Sequence, residues 1–360
     1  MKIVDLPTPA LLLDAELFDA NIRRMAEHAA KAGKELRPHA KAHKCVNIAR
    51  RQVQAGAAGV CVATVSEAEL MAASGIGSLL LTSPVAGHHK CARMAALAEA
   101  APDVTVVVDH PEQVRLYSDA AKRVGVNLNV LVDLDLGDHR TGISPGKPAL
   151  DLARAVAAER HLSFQGLQAY SVRASHMSAD EGVAAYSAGV LQQAEATKQL
   201  LESSGIPVPV VTGGSTGTYA ADSRLSFMTE LQAGSYALMD VAYARIGITE
   251  FAHALTVLAT VVSTNHPDRV TVDAGFKAFA TDRAFGPDVI NVPGARYQWA
   301  GDEFGYLFVE HAQARPRLGD RLRFIPPHCD PTVNLYDRIY VCSGDIVLET
   351  WSIMDRYHAN

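Results

Sequence analysis

Lys41 stands in the segment LRPHAKAHKC (36–45) among Arg37, His39 and His43, a crowd of basic groups in what reads as the first strand of an α/β unit. In an extended chain, Leu36, Pro38, Ala40 and Ala42 share one face and the four basic residues the other. A lysine desolvated there beside other cations has a depressed pKa, the condition for an amine to attack a carbonyl and hold a Schiff base. A hydrogen-bonded plug of basic side chains is the other use of that face. Lys44, at the strand-to-helix junction, reads as a solvated first-turn residue. VVTGGSTGTY (210–219) enters a turn whose backbone N–H groups at Gly214, Ser215, Thr216 and Gly217 could cup a phosphate, or simply turn the chain. Arg140, in DLDLGDHRTGI (133–143), can hydrogen-bond an anionic or phenolate oxygen, or pair with Asp138. His176, in LQAYSVRASHM (167–177), sits where a general base belongs, or faces solvent. His328 and Asp330, in IPPHCDPTVNLYD (325–337), are two apart. In an extended segment they would project to one side and supply nitrogen and oxygen to one divalent ion, or else hydrogen-bond to each other. Cys329 between them should point away and pack.

These residues need a scaffold that gathers them. From Asp14 to about Gly247, short apolar runs alternate with Ala-rich helical segments. The expected strands are 36–42, 59–64, 78–83, 103–109, 127–135, 162–170, 208–214 and 225–234. The expected helices are 14–33, 45–55, 66–74, 88–101, 111–123, 148–159 and 179–204, with Ser66 read as a capping residue. Eight strands in strict alternation with helices define a (β/α)8 barrel, an α/β fold whose chemistry sits at the C-terminal ends of the strands. Beyond about residue 250 the chain is β-rich without intervening helices, as in DRVTVDAG, FGYLFVEH and RIYVCSGDIVLETWSIM, which reads as an antiparallel β domain. The expected division is a barrel over 14–250 and a β domain over 251–360 that takes in 1–13 as an N-terminal strand.

With 48% apolar and 6% aromatic residues among 360, the chain can fill an Ala/Val/Leu core. A net charge of -6 gives no basic field for nucleic acid. No apolar run approaches a membrane span, and MKIVDLPTPALLLD lacks the clean apolar core of a signal peptide. The five cysteines, Cys45, Cys61, Cys91, Cys329 and Cys342, are scattered without CxxC spacing, against a disulfide framework or a zinc ribbon. A cytoplasmic protein with neither nucleic acid nor membrane as partner is expected.

Together LPTPALLLD, RPHAKAHK, GGSTGT, DAGFKA and PPHCDPTVNLYD resemble the fold-type III pyridoxal-phosphate enzymes, over nearly the whole chain. Within them the chain is similar to the group of D-threonine aldolase, D-3-hydroxyaspartate aldolase and D-serine dehydratase. The resemblance implies an alanine racemase-like architecture of TIM-like barrel plus β domain. It implies that Lys41 holds pyridoxal 5'-phosphate, that Gly214, Ser215, Thr216 and Gly217 receive its phosphate, that Arg140 meets its phenolic oxygen and that Tyr170 also binds it. His176 corresponds to a proposed base. Dehydratases of the family carry a His-x-Cys zinc pair; His328 and Asp330 look like the aldolase pattern with a divalent metal such as Mn²⁺ or Mg²⁺, or Zn²⁺. Phe304 in GDEFGYL departs from relatives that often show histidine in an EHG stretch. The implied reaction is retro-aldol cleavage of a D-3-hydroxy amino acid to glycine and an aldehyde. A dehydratase giving a 2-oxo acid and ammonia, with Lys41 removing the Cα proton, is the rival. A non-catalytic cofactor carrier is a third reading, against which the β domain and its metal pair argue. A homodimer is implied by analogy.

Overall fold

In the computed structural model, which describes residues 1–354, β1 (Ala10–Asp14) precedes eight parallel strands. These are β2 (Glu35–Leu36), β3 (Val60–Val62), β4 (Leu79–Leu81), β5 (Thr105–Val108), β6 (Leu128–Asp133), β7 (Leu162–Ala169), β8 (Val210–Gly213) and β9 (Glu230–Leu231). They run in the order β2-β9-β8-β7-β6-β5-β4-β3, and a parallel bridge between His39 and Cys61 joins the two ends. The sheet is therefore the expected (β/α)8 barrel. Its central strands are near-continuous apolar runs because helices cover one face and the interior the other; Cys61, Leu80, Val107 and Leu131 pack as one cluster.

The connecting helices fall where the periodicity puts them, but one cap differs. Thr64, not Ser66, caps the helix Val65–Ala73: its hydroxyl accepts the Glu67 N–H at 3.2 Å while the Glu67 carboxylate accepts the Ala63 N–H at 2.7 Å.

The first strand is much shorter than the expected 36–42. β2 ends at Leu36, Pro38 brings no N–H to the ladder, and Ala40–Ala42 wind into a 3-10 turn. Strand alternation fails there, so the four basic residues do not share a face. Arg37 pairs with Glu230, His39 bonds to Thr82, Lys41 is exposed, and the buried His43 accepts the Cys45 N–H on Nδ1 at 3.1 Å. Lys44 is buried with φ +47° rather than solvated.

The remaining strands are β10 (Leu255–Ser263), β11 (Arg269–Val272), β12 (Asp288–Val289), β13 (Arg296–Trp299), β14 (Gly305–Phe308), β15 (Arg321–Ile325), β16 (Arg338–Ser343) and β17 (Ile346–Ser352). They form a sheet in the order β13-β14-β11-β10-β1-β16-β17, with β15 pairing β10 and β12. Every pairing is antiparallel except that of β1 with β16. Phe279 packs edge-on against Tyr297, Trp299 and Phe324, an aromatic filling suited to a sheet with one face buried. The chain divides into two compact units, one of Met25–Lys41 and Ile48–Gly234, the other of Met1–Arg24, Ala42–Asn47 and residues 235–354. No helix among the described residues is long and apolar enough to cross a membrane.

Candidate active site

Lys41 follows β2, Arg140 follows β6, Tyr170 and His176 follow β7, and Gly214, Ser215, Thr216 and Gly217 follow β8. The barrel thus gathers all of them at the C-terminal ends of its strands, the end where this fold builds sites. Lys41 is exposed on its 3-10 turn, so the desolvation expected from a strand position is not present. His39 holds that turn. Its Nδ1 accepts the Lys41 N–H at 3.4 Å, and its Nε2 lies 3.0 Å from the Thr82 hydroxyl, which itself donates to the Val62 carbonyl. Nε2 therefore carries the ring proton.

The Arg140 guanidinium sits 5.4 Å from the centre of the Tyr170 ring. Asp138, the alternative partner for it, is committed elsewhere: its carboxylate accepts the N–H groups of Val172 and Arg173 at 2.5 and 3.2 Å. Among the described residues Arg140 makes no ion pair, and its exposed donors are open to an anionic oxygen. His176 ends the short helix Val172–Ser175 as its C-cap and is half-buried.

The turn after β8 is buried throughout. Gly214 has φ +77°, and a Cβ there would stand 3.0 Å from a carboxylate oxygen of Asp222. Two of the four N–H groups expected to form a phosphate cup are engaged within the turn. Ser215 donates to the Thr218 hydroxyl at 3.0 Å and Gly217 to the Ser215 hydroxyl at 3.1 Å. Beneath them the buried Asp222 accepts the Ser187 hydroxyl at 2.6 Å; burial raises its pKa, against the hydrogen bonds from Ser187 and Thr218.

A chain of side-chain hydrogen bonds, not foreseen from the sequence, runs across the barrel from the residue after β2 through β9, β8 and β7 to β6. Arg37 donates to Glu230 at 2.8 Å, Thr212 to Glu230 at 2.7 Å, Gln232 to Thr212 at 3.0 Å and to Gln168 at 3.4 Å, and Gln168 to Asp133 at 2.8 Å. Asp133 also accepts the Thr141 hydroxyl at 2.9 Å. It is 4% exposed. Burial pushes its carboxyl up to about 6; the bonds from Gln168 and Thr141 and the charge of Arg140 oppose that, and Asp109 adds to it. A signal was present in the sequence: an acid directly after LNVLV must be buried, and a buried carboxylate without donors is costly.

In the β-rich unit, His328 is extended, at φ -146°, but Cys329–Val333 form a helical turn. His328 and Asp330 are therefore not the same-side pair of a strand, because His328 is the N-cap and Asp330-Pro331 starts a helix, the position where proline is tolerated. The His328 Nδ1 lies 2.7 Å from the Asp282 carboxylate and 3.4 Å from the Arg283 guanidinium. Asp330 accepts the Ser235 hydroxyl at 3.0 Å and the Cys329 thiol at 3.3 Å on one oxygen. Cys329 is fully buried, its backbone N–H on the buried Asp240 at 2.8 Å. Asp240 and Asp282 were missed because their partners lie 89 and 46 positions away. Among the described residues no group of three or more His, Cys, Asp or Glu is placed to hold a metal ion. One imidazole and one carboxylate suit an ion that draws its other ligands from water and substrate, not a closed structural zinc centre. Phe304 is 46% exposed.

A parallel barrel with an amine, an exposed guanidinium and a buried Ser/Thr turn at one end, followed by an antiparallel sheet, defines a class. Residues 13–242 match the family described as alanine racemase, N-terminal domain, and 254–342 the putative serine dehydratase domain. The chain belongs to the fold-type III pyridoxal-phosphate enzymes, in the group of the D-threonine and 3-hydroxy-D-aspartate aldolases. It is 40% identical to D-threonine aldolase of an Arthrobacter species over 97% of this chain and 92% of that protein. It is 35% identical to 3-hydroxy-D-aspartate aldolase of Paracoccus denitrificans over 98% and 92%. The crystal structure of D-threonine aldolase from Filomicrobium marinum superposes with a TM-score of 0.93 at 39% identity, covering 97% of this chain and 96% of that one.

Proposed function

We propose that this protein cleaves the Cα–Cβ bond of D-3-hydroxy amino acids, of the D-threonine or D-3-hydroxyaspartate type, to glycine and an aldehyde. The observation that carries the reading is the convergence of Lys41, Arg140, Tyr170 and the Gly214–Gly217 turn on one end of the barrel, in a chain similar to two aldolases. The donor set fits pyridoxal phosphate: an exposed amine for its aldehyde, a guanidinium without an anion among the described residues for its phenolic oxygen, and a hydroxyl- and amide-lined turn for its phosphate. His328 and Asp330 would hold the divalent ion. When bound, the pyridoxal ring supplies a sink for the electron pair left at Cα, and the ion lowers the pKa of the β-hydroxyl.

The chain's own residues do the rest. Lys41 would be the amine that holds the cofactor. Arg140, steadied by the Tyr170 ring, fixes the orientation of the cofactor. His176 receives the β-hydroxyl proton as the bond electrons pass to Cα and Cβ becomes a carbonyl. A proton from solvent to Cα completes glycine, and His176 releases the hydroxyl proton to solvent, so the protons balance. The active form is a cytoplasmic homodimer, checked by light scattering; the five buried cysteines without a disulfide are in keeping with that compartment.

Incubation with D-threonine tests the reaction. Glycine and acetaldehyde are expected. 2-Oxobutanoate with ammonia would instead establish the dehydratase reading, which the match to the serine dehydratase domain keeps in view.

A further inference from the structure

We propose that Asp133 is a positioning residue, whose carboxylate sets Arg140 and Tyr170 at the place where the cofactor ring is bound. The inference rests on the reading of Arg140 as a cofactor ligand. Asp133 ends β6, and its two oxygens face two segments at once: one accepts Gln168, two residues before Tyr170, at 2.8 Å, and the other accepts Thr141, the residue after Arg140, at 2.9 Å. The loop between is tied back at its base, since Ile143 donates its N–H to the Asp133 carbonyl at 2.9 Å and Asp135 its N–H to the Ile143 carbonyl at 3.0 Å. Gly142 donates to the Asp109 carboxylate at 2.9 Å. Arg140 is the unbonded member of this clamp, and Asp133, Arg140, Thr141 and Tyr170 line one small cavity.

The neighbours of Asp133 are both donors, and an ionised carboxylate accepts from both where a buried amide could accept on only one side. The charge of Arg140 stabilises that ionised form, so loop and carboxylate are coupled electrically as well as through Thr141.

The test titrates pyridoxal phosphate into the cofactor-free full-length protein and its variants, reading the dissociation constant and the pH midpoint of the visible band. Asp133→Asn and Thr141→Val should each weaken binding about tenfold or more and move the midpoint in the direction that Arg140→Ala moves it. Thr141→Ser, which keeps the hydroxyl, should restore both. In the Arg140→Ala background, Thr141→Val should add less than about twofold, because the hydroxyl acts through the arginine. Unchanged binding and midpoint in Asp133→Asn and Thr141→Val, with only a lower melting temperature, would overturn the inference, as would fully multiplicative effects of Thr141→Val and Arg140→Ala. A wild-type chain that takes up no pyridoxal phosphate overturns the parent reading, and this inference with it.

Discussion

The Arg37 guanidinium donates to the Glu230 carboxylate at 2.8 Å, joining the residue after β2 to the first residue of β9. Those two strands are only two residues long and pair with each other in parallel, so the side chains carry much of the seam between the first and last strands of the barrel. Their side chains are 16% and 6% exposed, and Arg37 also donates to the Ser78 carbonyl and, at 2.9 Å, to its hydroxyl, so losing Glu230 strips the guanidinium of its anion but not of every partner. Glu230→Ala should lower the unfolding free energy by about 3–5 kcal/mol in urea denaturation. A loss under about 1 kcal/mol, the size of a surface pair, would assign the seam to its backbone bonds instead.

Borohydride reduction of the cofactor-loaded protein, followed by peptide mapping, should place the label on Lys41. Its side chain is exposed at the strand end, whereas Lys44 is buried with its backbone in the left-handed region. Lys41→Ala should abolish the visible band and turnover together. A label on Lys44 would refute the assignment.

Chelation should separate cleavage from cofactor binding. Treatment with EDTA, or Asp330→Ala, is expected to slow carbon–carbon cleavage on the order of a thousandfold while the visible band persists. Mn²⁺ or Mg²⁺ should restore the chelated wild type. Full turnover after exhaustive chelation, with elemental analysis negative for metal, would remove the ion from the mechanism.

Asp133 gives the cofactor-free protein a pH signature. Its carboxyl rises from the ordinary 3.8 to about 6, mainly through burial. The folded state thus holds the proton more tightly than the unfolded one. The stability contributed by this group is fully present below about pH 4 and is lost as pH rises through about 6, a change of roughly 3 kcal/mol. The difference in unfolding free energy between wild type and Asp133→Asn should follow that curve. A difference independent of pH from 4 to 7 would show that Asp133 titrates normally.

The barrel could be read from the sequence because its evidence is local: apolar runs of strand length, helical periodicity between them, and glycine turns such as Gly213-Gly214 where a side chain would overlap the Ala169 carbonyl or crowd Asp222. The locations of Lys41, Arg140 and Gly214 at strand ends follow from the same count. Their surroundings do not. Pro38 ended β2 early and turned Lys41 outward, an effect of one missing N–H that outweighs alternation over the following residues. Asp133 finds Gln168 35 positions away, and Arg37 finds Glu230 at 193, so hydrogen bonds made by the closed ring leave no mark in a local window. The helical turn at Cys329–Val333 was hidden behind a short β-like spacing.

β1 lies between β10 and β16 in the second sheet, yet it is made before the whole barrel. Its ALLLD side chains are buried in the finished protein apart from the half-buried Asp14, and their hydrogen-bonding partner in β10 emerges from the ribosome about 240 residues later. At roughly 5–20 residues per second, the nascent chain carries an unpaired apolar strand for about ten seconds to a minute. Translation speed and chaperone supply should therefore govern how much of this protein is recovered active, and slowing synthesis without added chaperone should raise the fraction that aggregates.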